Sequence, residues 1–257
     1  MDQARTSCRR AAVVFAAAAG VALSAGFSFA QPAPAPAAST PAPASISASI
    51  PDTIAQRLLA CTACHGKEGR AASDGYYPRI AGKPDGYLYN QLLNFREGRR
   101  QYRPMIYLVD HLPDAYLREI AVYFSSQHPP YPPPQRVNVS DSVMERGKQL
   151  VINGDASKKN VPACAACHGS ALTGVLPSTP ALIGLPRDYI NAQFGAWRNG
   201  TRRAHAPDCM AQIAERLSRD DISAASAWLA SQPLAPDLLP AAASGAKLPL
   251  ACGSVPQ

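Results

Sequence analysis

The stretch ACTACHG at residues 60–66 returns as ACAACHG at residues 163–169, so a Cys-x-x-Cys-His-Gly unit occurs twice in a chain of 257 residues. The sequence around the two copies repeats as well. At an offset of 102, Pro78 pairs with Pro180, Gly82 with Gly184, Pro84 with Pro186, Tyr87 with Tyr189, Gln91 with Gln193, Phe95 with Trp197 and Arg100 with Arg202. At an offset of 105, Met105 pairs with Met210, Leu112 with Leu217, Tyr123 with Trp228 and Gln127 with Gln232. A fixed period with small indels marks a tandem duplication of a unit of about a hundred residues.

Each copy reads as helical. Asp52 or Thr53 can cap a short helix through Ala63. Pro84 suits a helix start and Gly98 a stop, with Tyr87, Leu88, Leu92 and Phe95 at helical spacing between them. A further helix is predicted from about Asp114 to Gln127, with Leu117, Ile120, Ala121 and Phe124 on one face. The second copy opens with a helix near Asp141 to Ile152, and the run Ser218 to Asp221 has the form of a capping box for a last helix to about Ser231. No run of alternating strand residues is found, so the class is all-α.

Outside the repeats the chain is punctuated by biased segments. Arg5, Arg9 and Arg10 precede an apolar run from Ala11 to Ala30 that ends in small Ser28 and Ala30. This is the pattern of a signal peptide over 1–30, which predicts export and a mature start at Gln31. Left uncleaved, the same run would serve as a membrane anchor. Residues 31–51 are Ala/Pro/Ser-rich and read as a spacer, and the proline cluster HPPYPPPQ divides the two copies. The expected organisation is therefore a first domain over 52–128, a linker over 129–140, a second domain over 141–232 and a tail over 233–257. Without the first thirty residues, 22 basic side chains face 17 acidic ones. So small an excess gives no basic stripe of the kind that nucleic-acid binding needs.

Of seven cysteines, Cys8 falls in the predicted signal peptide and four lie in the paired motifs. Cys209 and Cys252 remain, as a disulfide in an oxidising compartment or as two free thiols. A disulfide would pin the tail over the loop that carries Met210.

A Cys-x-x-Cys pair can be a redox dithiol or half of a zinc site. The dithiol normally opens a helix beside a sheet, where the helix N-terminus lowers the thiol pKa; here the motif closes a helix in a chain without strands. Adjacent Cys and His are not the usual zinc spacing. The histidine directly after the second cysteine selects a third chemistry, covalent attachment of haem c. One helical turn brings Cys61 and Cys64, or Cys164 and Cys167, to the two vinyl groups, and His65 or His168 reaches the iron. The cofactors implied are two covalently bound haem c groups.

The sixth iron ligand separates electron transfer from catalysis. Met105 follows His65 by 40 residues and Met210 follows His168 by 42, and these repeat partners are two of only four methionines. They are expected at equivalent loop positions before the last helix of each copy. Thioether ligation raises the reduction potential and fills the site. His65, Met105, His168 and Met210 are thus the candidate iron ligands. The carbonyls of Pro78 and Pro180 are candidates to accept the Nδ1 proton of His65 and His168, fixing each imidazole. Arg96, Arg99, Arg100 and Arg103, with Arg198, Arg202 and Arg203, are available for haem propionates or an acidic partner. His205, near Met210, is the one rival ligand.

On these residues, from CTACHG through YPRIAGKPDGYLYNQLLNFREGRR to CMAQIAERLSRDDISAASAWLASQ, the chain resembles the cytochrome c4 family over about Ile54 to Gln232. The resemblance implies two tandem class I cytochrome c domains, each a small helical fold wrapped around its haem, in the bacterial periplasm. It implies Cys61, Cys64, His65 and Met105 at one haem, and Cys164, Cys167, His168 and Met210 at the other. The implied role is electron transfer, without catalysis, from a quinol-oxidising complex toward a terminal oxidase. Some members instead serve as acceptors or haem subunits of periplasmic dehydrogenases. A dihaem peroxidase, which also carries two such motifs, is the alternative from another class, but it needs a displaceable or absent distal ligand at one haem.

Overall fold

The computed structural model describes residues 51–72, 75–157, 160–234, 238–243, 245 and 247–255. The predicted signal peptide and almost all of the Ala/Pro spacer lie outside the described residues. The described residues group as one unit.

The first half contains α1 (Ile54–Arg57), α2 (Leu59–His65), α3 (Asp85–Arg96), α4 (Arg103–Val109) and α5 (Asp114–Ser125). The Thr53 hydroxyl caps α1 by accepting from the Gln56 amide at 3.2 Å. The single helix expected through Ala63 is instead broken at Leu58, which takes φ −94° and ψ 11°. Its side chain is 2% exposed, so the break turns Leu58 into the core. Pro84 caps α3 from the residue before it, and Gly98 takes φ +72° just beyond the end, a left-handed position that glycine adopts without a Cβ clash. Leu117, Ile120, Ala121 and Phe124 form the buried face of α5, as their i, i+3, i+4, i+7 spacing dictates.

The second half repeats this plan with α6 (Asp141–Ile152), α7 (Ala165–His168), a hairpin of β1 (Gly174–Val175) and β2 (Thr179–Pro180), then α8 (Arg187–Arg198), α9 (Cys209–Arg216) and α10 (Arg219–Ala230). The hairpin is antiparallel, with Gly174 opposite Pro180. Two residues per strand are too few to leave an alternating pattern in the sequence. Ser218 and Asp221 do form a capping box on α10. Asp221 also accepts from Arg146 of α6 at 2.8 Å, and Arg146 bonds Asp155 at 2.8 Å. Burial would raise the Asp221 pKa, but the Ser218 and Arg146 hydrogen bonds outweigh it and hold the carboxyl at about 2.

The crossing of α6 and α10 rests on Gly147. A Cβ there would lie 2.2 Å from the Ala224 carbonyl oxygen and 2.8 Å from Trp228 Cβ. Neither atom is the free end of a flexible side chain, so the helices themselves must move apart. Gly147→Val is expected to destabilise the protein by about 3 kcal/mol, by overpacking. Chemical denaturation followed by helical circular dichroism checks this; an unchanged midpoint contradicts it.

Two hydrophobic clusters result. One gathers Leu58, Leu88, Phe95, Leu117 and Phe124, the other Leu150, Val151, Ile190, Phe194, Ile213 and Leu229. The seam between the halves is polar. Backbone amides of Gln101 and Arg203 donate to the carbonyls of Thr201 and Arg99, both at 2.7 Å, around an antiparallel bridge of Arg100 and Arg202. The proline segment is tied to the first half by Arg79, which donates to the Pro129 and Pro130 carbonyls and lies 3.8 Å over the Tyr131 ring. Among the described residues no helix is long and apolar enough to cross a membrane.

Candidate cofactor-binding centres

Both motif histidines are the last residues of their helices, α2 and α7, and both are buried, at 8% and 7% exposure. Gly66 and Gly169 follow with φ +74° and +85°, turning the chain sharply back. At Gly66 a Cβ would meet the Ala71 carbonyl oxygen at 2.4 Å, so the return is tight. It carries Pro78 and Pro180 over the two rings. Nδ1 of His65 lies 2.8 Å from the Pro78 carbonyl oxygen, and Nδ1 of His168 lies 2.7 Å from that of Pro180. A carbonyl only accepts, so Nδ1 carries the proton and Nε2 keeps its lone pair for a metal. Burial lowers both histidine pKa values, which favours the same neutral form.

None of the four motif cysteines is joined in a disulfide. Burial pushes Cys164 up to about 12 and raises Cys61 and Cys167. Neutral thiols in apolar surroundings are poor nucleophiles, which argues against a redox dithiol. Nor do three or more His, Cys, Asp or Glu side chains gather as a metal-ligand set among the described residues.

Met105 and Met210 do not sit in loops. Met105 is in α4, which starts with Pro104 in its first turn, and Met210 is in α9, capped by Asp208 accepting from the Ala211 amide. The short helices were missed because neither shows a long apolar period. Each methionine packs, partly buried, against the core of its own half. In the second half Cys164, Cys167, His168, Pro180 and Met210 line one cavity of about 190 Å³. In the first half Cys61 and Met105 pack against a single cluster.

The second cavity has a charge problem that its own side chains do not solve. Lys83 and Arg202 line it at 7% and 6% exposure. Burial lowers both pKa values, bringing the Lys83 ammonium down to about 8, and no carboxylate bears on either group. Arg202 shares the seam with Arg100 in a two-fold web: Gln193 Oε1 accepts from both arginines, at 2.6 and 2.9 Å, and Gln91 Oε1 accepts from both, at 3.2 and 3.0 Å. Tyr87 and Tyr189 complete the web. Trp197 Nε1, also on the cavity wall, is buried without an acceptor. Buried cations and an orphaned N–H facing an apolar cavity call for an anionic, largely apolar group. Haem, with a hydrophobic macrocycle and two propionates, fits that description.

Two of the other arginine candidates, Arg96 and Arg99, are engaged elsewhere, while Arg203 lines the cavity. Arg96 pairs with Asp114 at 2.6 Å and with the Leu112 carbonyl. Arg99 pairs with Glu97 and donates to Nε2 of His205 at 3.0 Å across the seam. His205 lines the second cavity with that nitrogen already engaged. Lys83 has no partner in the other repeat, where Leu185 stands, so the duplication gave no signal for it.

Two Cys-x-x-Cys-His helices in a duplicated helical fold define a tandem class I c-type cytochrome. No protein-family model matches the chain. It is 36% identical over 180 residues to a thiosulfate dehydrogenase electron acceptor of Thiomonas intermedia, covering 69% of this chain and 80% of that one. It is 30% identical to a cytochrome c4 of Pseudomonas aeruginosa, over 66% of this chain and 82% of the relative. The solved reduced cytochrome c4 of Pseudomonas stutzeri superposes with a TM-score of 0.59 at 29% identity, covering 68% of this chain and 95% of that one. Thiosulfate dehydrogenase TsdBA of Marichromatium purpuratum gives a TM-score of 0.59 at 29% identity, and the match covers 67% of this chain but only 36% of that one. The chain belongs to the cytochrome c4 family, dihaem c-type cytochromes that carry electrons rather than catalyse reactions.

Proposed function

We propose that this chain is an exported, periplasmic carrier with two haems of His/Met ligation, and that it takes electrons from a periplasmic dehydrogenase. The domains are those expected from the repeats, 52–128 and 141–232, joined by 129–140. Cys61 and Cys64 attach one haem and Cys164 and Cys167 the other. His65 and His168 would each ligate an iron, with Met105 and Met210 as the second protein ligands. The bound group supplies a reversible one-electron ferric/ferrous couple. The protein supplies the rest: the Pro78 and Pro180 carbonyls hold each imidazole in its ligating tautomer, and Lys83, Arg100 and Arg202 offer charge to the propionates.

The observation that carries this reading is the matched pair of histidine-to-proline-carbonyl contacts, 2.8 and 2.7 Å, at the ends of two Cys-x-x-Cys-His helices. A dehydrogenase donor is favoured over the quinol-oxidising complex because the electron acceptor of Thiomonas intermedia and a second one from Stutzerimonas stutzeri, at 34% identity, are both named for thiosulfate dehydrogenase.

Mixed without oxygen with a thiosulfate dehydrogenase and its substrate, the haem-loaded chain is expected to take up two electrons, one per haem. A chain that stays oxidised there but is reduced by a quinol-oxidising complex moves the donor assignment. Turnover of hydrogen peroxide contradicts the carrier reading.

A further inference from the structure

The tail has no counterpart at the end of the first repeat, and its path is specific. Cys252, 7% exposed, is joined to Cys209, the residue before Met210. The Gly253 amide donates to the Pro207 carbonyl at 2.9 Å, in an approach so close that a Cβ there would lie 2.2 Å from the Ala206 oxygen. The Ser254 carbonyl accepts from Ser178 Oγ at 2.9 Å and from Asn90 Nδ2 at 3.1 Å, fastening the tail to both halves. Farther back, Ala241 forms a parallel bridge with Val175. Between these anchors Leu248 and Leu250 face the cavity that Met210 lines. Among the described residues the first half carries no such cover. Tyr107, in α4 with Met105, is 84% exposed, and Tyr76 is 61% exposed. Tyr76 packs edge-on against Tyr77 at 4.9 Å, and Tyr77 lies 6.3 Å from the His65 ring.

Resting on the carrier reading, we propose that residues 247–255 form a disulfide-fastened strap over the cavity of the second half, so that outside ligands reach the first half faster than the second. A ligand entering the second cavity there would have to displace a segment held by a covalent bond and by hydrogen bonds to both halves. In the first half Tyr76 and Tyr107 are already at the surface.

The test uses the haem-loaded ferric protein and excess cyanide, which replaces methionine at a rate set by access and crevice opening. Wild type is expected to bind in two phases of equal amplitude, at least tenfold apart. Met105→Ala should speed only the fast phase, assigning it to the first half. In Cys209→Ser/Cys252→Ser the slow phase should accelerate at least tenfold and the fast one stay put. Because that variant can lose stability, the same rates are read on wild type after phosphine reduction of the disulfide, thiol capping and reoxidation of the haems with ferricyanide. A single phase in wild type, or a slow phase unchanged in both opened forms, overturns the strap. Absence of the weak red band of methionine-to-iron ligation before cyanide is added contradicts the carrier reading instead, so the two failures are distinguishable.

Discussion

Replacing Met105 or Met210 by leucine is expected to lower the reduction potential of one haem and leave the other unmoved. Leucine is chosen because it conserves volume, so the packing of each side chain against its core is kept while the sulfur is lost. The thioether is a soft donor that favours ferrous iron, and its loss stabilises the ferric form. Axial ligation spans roughly 0.8 V across haem proteins, so a shift on the order of 0.1 V or more is expected. It stays local because the two methionines sit on separate helices, α4 and α9, each packed into its own cluster. A spectroelectrochemical titration should show one wave displaced in each variant, a different one each time. Waves unchanged in both variants would contradict the ligand assignment.

Preventing haem attachment has an even larger effect on the polypeptide. With Cys61, Cys64, Cys164 and Cys167 all changed to alanine, the chain is expected to lose most of its cooperative helical structure. The second half would fold around a cavity of about 190 Å³, and at about 24 cal/mol per Å³ an unfilled space of that size costs about 5 kcal/mol. Whole domains are stable by only about 5–15 kcal/mol. Lys83 and Arg202 would be buried without an anion, adding to the cost. Far-ultraviolet circular dichroism and a thermal melt decide the matter. A haem-free chain with full helix content and a sharp transition would show that the cores are self-sufficient.

The sequence and the structure meet most closely where a local physical rule acts alone. The Asp141–Ile152 helix, the Ser218–Asp221 capping box and the buried face of α5 depend on caps and on a 3.6-residue period, and all three are found. The histidine contacts to Pro78 and Pro180 were anticipated because both prolines recur at one offset. What escaped the sequence depends on tertiary contacts. The break at Leu58 follows from burying that side chain, and α4 and α9 are too short to advertise a period. The pairing of Cys209 with Cys252 was one of two open outcomes, and the structure joins them across 43 residues of chain. The seam web of Arg100 and Arg202 with Gln91 and Gln193 was half visible, since all four residues are repeat partners. Their matching marked them as special without saying that the two sets meet each other.

Closure of both haems by methionine underlies the carrier reading. It is tested most directly by the optical spectrum of the purified, haem-loaded protein in both oxidation states, with carbon monoxide added to the reduced form. Two haems per chain, the weak red band of methionine-to-iron ligation when oxidised, and a reduced spectrum that carbon monoxide leaves unchanged are expected. A haem that takes up carbon monoxide readily would contradict it and point to a site open for peroxide chemistry.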